Sequence, residues 1–155
     1  MSLIHQNLYQ SEQVNNVDIE NYLRELVVYL SQMFRADSKN IETEISTDGI
    51  QFDIDTAIPL GLIVNELVTN AYKYAFENRE KGTIKINIRV VGDNYELHID
   101  NDGKPLPDDF DIKTTKSLGL KLVSILSRQL RGKFSFHSDE NRTSFVVSFK
   151  DLKSI

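Results

Sequence analysis

The chain contains no cysteine among its 155 residues. Disulfides, zinc–thiolate sites and thiol nucleophiles are therefore excluded, which fits a reducing compartment. It also lacks a surplus of positive charge: 18 Lys and Arg stand against 23 Asp and Glu, for a net charge of −5. A broad nucleic-acid footprint needs the opposite balance. An acidic chain can still hold phosphates through a few local cations and backbone N–H groups. No run is long and apolar enough to span a membrane, and the first residues lack a signal-peptide pattern. Neither nucleic acid nor membrane is expected as a partner. With seven glycines and three prolines the chain has no low-complexity tract, and it shows no internal repeat.

What is present suits one compact domain with a single core. Residues 1–17 are polar and weakly patterned, and read as the end of a preceding helix plus a linker. Asp18 is placed as a helix cap. Behind it Ile19, Tyr22, Leu23, Leu26, Val27, Leu30 and Phe34 recur at helical spacing, predicting a helix over 18–36. Residues 41–46 alternate as a strand, and 50–54 read as a short second one. A long helix is predicted over 56–78, with Pro59 in its first turn and Leu60, Ile63, Val64, Leu67, Val68, Ala71 and Ala75 forming a wide apolar stripe. Strands over 82–91 and 95–101 flank the turn Gly92-Asp93-Asn94 as a hairpin. A loop over 102–117 leads to a helix over 118–131, ended by Gly132, and strands 133–138 and 143–150 close the chain. The order predicts an α+β two-layer sandwich, a mixed and mostly antiparallel sheet with helices on one face. The domain is assigned to 18–150, with a tail over 151–155.

Polar residues interrupt the long helix at Asn65, Glu66, Asn70 and Lys73. The spacings 66–70 and 70–73 put a carboxylate, an amide and a cation on one helical face. Hard oxygen ligands and a cation suit a magnesium–polyphosphate group. The competing reading is a solvated helix edge. Asn70 fits that reading least, because it lies between Leu67 and Ala71, beside the buried stripe, where an amide needs partners or a ligand.

The twelve residues from Asn65 to Phe76, Asn-Glu-Leu-Val-Thr-Asn-Ala-Tyr-Lys-Tyr-Ala-Phe, resemble the N box of sensor histidine kinases. That ATP-binding fold is shared with DNA gyrase and certain heat-shock chaperones. The resemblance implies that Asn70 holds magnesium, that Glu66 sits near the terminal phosphate as base or water-orienting group, that Lys73 contacts phosphate, and that Tyr74 lines the nucleotide pocket. Two glycine boxes follow in the family's order, both reduced. In Ile99-Asp100-Asn101-Asp102-Gly103-Lys104-Pro105, strand alternation puts Tyr95, Leu97, Ile99 and Asn101 on one face. Gly103 matches the family's first glycine when Asn101 takes the position of its aspartate. Asn101, not Asp100 or Asp102, is thus expected to face adenine, with Pro105 replacing the second glycine. In Ser117-Leu118-Gly119-Leu120, Ser117 replaces a glycine, and Gly119 falls in the first turn of the next helix, where exposed N–H groups favour phosphate. Thr143-Ser144-Phe145 resembles the family's Gly-Thr-x-Phe, with Arg142 at the glycine position. The loop between the boxes would be a lid, with Lys104, Lys113, Thr114, Thr115 and Lys116 as candidate phosphate contacts.

By this resemblance the chain binds ATP and Mg2+ and passes the terminal phosphoryl group to a histidine. His98 and His137 read as surface side chains, and the context of His5 does not match an acceptor. The phosphoacceptor and dimerisation domain is therefore expected elsewhere in a longer homodimeric, cytoplasmic protein, with a response-regulator receiver domain as onward partner. Two alternatives stand beside it: a degenerate nucleotide-binding module acting through protein contacts, and an anti-sigma-factor-type serine kinase.

Overall fold

The computed structural model describes residues 16–35, 39–108, 110 and 118–151. In chain order the elements are β1 (Val17–Asp18), α1 (Ile19–Met33), β2 (Ile41–Ser46), β3 (Gln51–Phe52), α2 (Ile54–Asn70) with a π-helical turn over Ala71–Ala75, β4 (Gly82–Val91), β5 (Asn94–Asn101), α3 (Leu118–Gln129), β6 (Lys133–Ser138) and β7 (Thr143–Phe149). Strands β2-β4-β5-β7-β6 form one sheet, in which only β2 and β4 run parallel. This is the mixed, mostly antiparallel α+β fold expected. The two-residue strands β1 and β3 pair separately; two residues are too few to show a period.

Strand alternation builds the layers. Leu97, Ile99 and Asn101 of β5 and Thr143, Phe145, Val147 and Phe149 of β7 are buried, while Glu96, His98 and Asp100 are only half-buried. The buried face meets the helices, with α2 packed against both α1 and α3. Asp18 caps α1 as expected, its carboxylate accepting the Asn21 N–H at 3.2 Å. That helix ends at Met33 rather than 36.

The long helix departs from its predicted bounds at both ends. It starts at Ile54, because Asp53 caps it by accepting the Thr56 N–H at 3.3 Å. Pro59 consequently lies in the second turn, not the first. Regular α geometry stops at Asn70, and the next five residues form the π turn, closed by Phe76 N–H to Ala71 C=O at 3.0 Å. The next helix stops at Gln129 rather than 131, and the cause is not a left-handed glycine. The left-handed residue after α3 is Arg131, with φ 59°, and Gly132 N–H bonds to Ser127 C=O at 2.9 Å. Gly132 is required instead by close approach, since a Cβ there would fall on the Ser148 carbonyl oxygen.

Candidate nucleotide site

The end of the long helix shapes the site. In a continued α-helix the Ala75 carbonyl would accept from Arg79 N–H, which bonds to Phe76 C=O instead. Ala75 C=O is thereby released and accepts Lys104 N–H at 2.7 Å. This bond ties the end of the helix to the loop after β5. Gly103 makes the approach possible: a Cβ at that position would lie 2.4 Å from the Ala75 oxygen. The π turn, a feature that often accompanies functional sites, carries no signal in the sequence.

Between these two pieces, α3 and β7 lies a cavity of about 810 Å³. The helix end supplies Glu66, Asn70, Lys73 and Tyr74; the β5 loop supplies Asn101 and Lys104; α3 supplies Leu118, Gly119 and Leu120; β7 supplies Thr143. The structure thus brings together residues that the sequence offered from four separate segments. Gly103 lies just behind this lining and donates its N–H to Asn101 Oδ1 at 3.0 Å. Ser117, Lys113, Thr114, Thr115, Lys116 and His5 lie outside the described residues.

Asn101 is 5 % exposed and Thr143 2 %. They are register partners across β5 and β7, so both project into the cavity from its sheet floor. The Thr143 hydroxyl shares a hydrogen bond of 2.7 Å with Ser138 Oγ, which accepts the Leu106 N–H at 2.9 Å. Asp100 faces the other side of the sheet, where it accepts from Ser144 Oγ and lies 3.8 Å from Arg142. Asn70 is half-buried rather than sealed in the core. Lys73 and Tyr74 are exposed at the rim, and the Lys73 ammonium lies 5.9 Å over the Phe34 ring. An exposed cation–π contact is worth only about 0.5–1 kcal/mol, so a polyphosphate can draw that ammonium inward.

Sequence reasoning missed the apolar wall formed by Leu106, Pro107 and Phe110 with Phe145. Phe110 packs edge-on against Phe136, with ring centroids 5.0 Å apart. Loop residues have no period to betray their burial, whereas Phe145 shares the face of Thr143 and was legible from alternation.

The lining divides chemically. Asn101, Thr143 and the apolar wall form a small floor with few polar groups, suited to a flat heterocycle. Glu66, Asn70, Lys73 and Lys104, with the first turn of α3, form a polar end suited to phosphates. Among the described residues no group of three His, Asp or Glu side chains could hold a metal ion. Glu66 and Asn70 offer a carboxylate and an amide oxygen; magnesium typically binds through one or two such groups while phosphates and waters complete its shell. The donor set fits a magnesium ion held jointly with a polyphosphate.

Residues 55–153 match the model of a family described as histidine kinase-, DNA gyrase B- and HSP90-like ATPases. The chain belongs to that family. Residues 1–34 of this ATPase also match a histidine-kinase segment model. Among curated relatives, the blue-light-activated histidine kinase 2 of Erythrobacter litoralis is 30 % identical over 91 residues, covering 58 % of this chain and 26 % of the relative. The sensor histidine kinase PdtaS of Mycolicibacterium smegmatis is 24 % identical over 149 residues, covering 95 % and 30 %. The chain thus spans less than a third of the curated relatives it matches. In structure it resembles the histidine kinase domain of the Erythrobacter litoralis EL346 blue-light activated kinase, with TM-score 0.82, 21 % identity and coverage of 96 % and 76 %.

Proposed function

We propose that this domain binds magnesium–ATP in the cavity between α2, the β5 loop and α3, and transfers the terminal phosphoryl group to a histidine on a dimerisation domain of the same protein. The observation that carries the reading is the convergence of Glu66 and Asn70 with Asn101 and the first turn of α3 on one cavity. In this reading Asn101 and Thr143 hold the base, and Tyr74 flanks the entrance. Asn70 contributes an amide oxygen to a magnesium ion, which when bound neutralises charge on the phosphate oxygens. Lys73, Lys104 and the first turn of α3 at Leu118, Gly119 and Leu120, with Ser117 preceding it, hold phosphate. Glu66 accepts the proton of the attacking group or orients it. Positioning and charge stabilisation then supply most of the rate.

Neither His98 nor His137 lines the cavity. His98 lies on the far face of the sheet between Glu96 and Arg89, 2.8 and 2.9 Å away, so the acceptor must be brought by another element. The match of residues 1–34 to a histidine-kinase segment supports a dimerisation domain as that element. A homodimer, a receiver domain as onward acceptor and a cytoplasmic location extend the proposal. No helix among the described residues is long and apolar enough to cross a membrane.

Pro105 favours a second reading, a module that holds nucleotide poorly and acts through protein contacts, because it removes a backbone donor from the cavity loop. Calorimetric titration with ATP, with and without magnesium, separates the two. Magnesium-dependent binding supports the kinase, and its absence supports the contact module. Supplying a histidine-bearing dimerisation domain and finding acid-labile phosphohistidine completes the test, whereas acid-stable phosphoserine on a partner points to a serine kinase.

A further inference from the structure

The polarity of the base-facing group differs from that of a carboxylate at the same place. Asn101 Oδ1 accepts the Gly103 N–H at 3.0 Å. A backbone N–H can only donate, so chemistry, not a choice of amide orientation, puts oxygen on that side. Nδ2 is therefore the atom left for the cavity. It has no partner among the described residues, and it is not among the buried polar atoms sealed from solvent without one. Its side chain lines the cavity floor, where the neighbouring polar group is Thr143, already hydrogen-bonded to Ser138, beside an apolar wall.

A carboxylate here would give one oxygen to Gly103 N–H and present the other, an acceptor, to the base. That acceptor suits the exocyclic amine of adenine and repels a carbonyl. Asn101 presents two N–H donors instead. A donor suits O6 of a 6-oxopurine, and it meets the N6 amine of adenine donor to donor. On Asn101 itself, only the remaining lone pair of Oδ1, already turned toward Gly103, can serve that amine. From this geometry we infer that Asn101 sets base selectivity in this domain, and that the cavity takes 6-oxopurine nucleoside triphosphates at least as well as ATP. The inference rests on the nucleotide-site reading and changes its substrate class.

Inosine triphosphate is the apt probe, because it differs from ATP only at the C6 and N1 edge. Its affinity and that of ATP are measured by calorimetry, in magnesium buffer, for the parent and for Asn101→Asp. The variant is isosteric and keeps an acceptor for Gly103 N–H. The parent binds inosine triphosphate as tightly as ATP or more tightly, and Asn101→Asp shifts the ratio toward ATP by about tenfold or more, the worth of one buried hydrogen bond exchanged for a mismatch. A parent that prefers ATP tenfold, or a ratio that Asn101→Asp leaves unchanged, overturns the inference while leaving the nucleotide site in place. Binding of neither nucleotide to either protein overturns the site itself, and the selectivity claim with it.

Discussion

Two cavities flank the loop that follows β5, and the larger is not the candidate site. One, of about 950 Å³, is lined by Asn40, Glu42, Arg79, Glu80, Lys81, Gly82, Thr83 and Asp102. The other, of about 810 Å³, holds the residues of the kinase-like motifs. Adjacent residues divide between them: Asn101 serves the second and Asp102 the first. Charges of both signs crowd the first cavity, and one of its carboxylates is already engaged, since Asp102 Oδ1 accepts the Thr83 N–H at 2.8 Å. The second cavity joins an apolar floor to a polar end, and its amide donor at Asn101 is unspent. Size measures room; a site needs enclosure, unpaired polar groups and a division of labour along its length.

Substitutions that touch one cavity and spare the other sharpen this contrast. The largest effect is expected at Gly103, where any side chain collides with the Ala75 backbone oxygen. Gly103→Val should cost about 1–3 kcal/mol of stability, read as a melting temperature lower by several degrees, and nucleotide binding should be lost even where the protein remains folded. Next comes Asn101→Ala, which removes the proposed base contact and orphans the Gly103 N–H. It should weaken nucleotide binding about ten- to a hundredfold with a modest fall in melting temperature. Asn70→Ala should remove the magnesium-dependent part of the affinity, about tenfold, and leave the fold intact because the residue is only half-buried; calorimetry at matched magnesium concentrations decides it.

Smaller effects come from the far side of the sheet and from the other cavity. Asp100→Ala loses a bond to Ser144 and should cost about 1 kcal/mol of stability while changing nucleotide affinity less than twofold. Lys81→Ala, in the larger cavity, should change neither. If Lys81→Ala abolishes binding and Asn101→Ala does not, the two cavities have been assigned the wrong way round; if Asp100→Ala does so instead, the wrong face of β5 has been assigned to the base. The smallest effect is a pH dependence. The backbone N–H groups of Arg142 and then Asn141 hold the Asp139 carboxyl below its ordinary range. Its contribution to the β6–β7 turn is present above the unfolded carboxylate pKa and fades as pH falls through the lowered value. Asp139→Asn should flatten that part of the acid-unfolding curve.

Legibility in the sequence followed periodicity. Strand β2 was placed over the residues it occupies, and the face of Asn101 was fixed by alternation with Leu97 and Ile99. The chain's departure from a single helix over 56–78 was not legible, because Asn70 to Ala75 keep an apolar pattern that does not distinguish an α from a π turn. Gly132 was read as a helix stop when its role is contact, since only the fold brings the Ser148 oxygen against it. The wall of Leu106 and Phe110 belongs to a loop whose burial depends on β6 and β7. Motif order located the polar groups of the cavity, and only three-dimensional packing showed its apolar wall.

The most direct test of the account is an amide-resolved NMR titration of this domain with magnesium and a non-hydrolysable ATP analogue. Saturable shifts are expected at Asn70, Lys73, Asn101, Gly103, Gly119 and Thr143, with Asn40, Glu42, Lys81 and Thr83 unmoved. Shifts confined to Asn40, Glu42, Lys81 and Thr83, or no shifts at millimolar nucleotide, would contradict it.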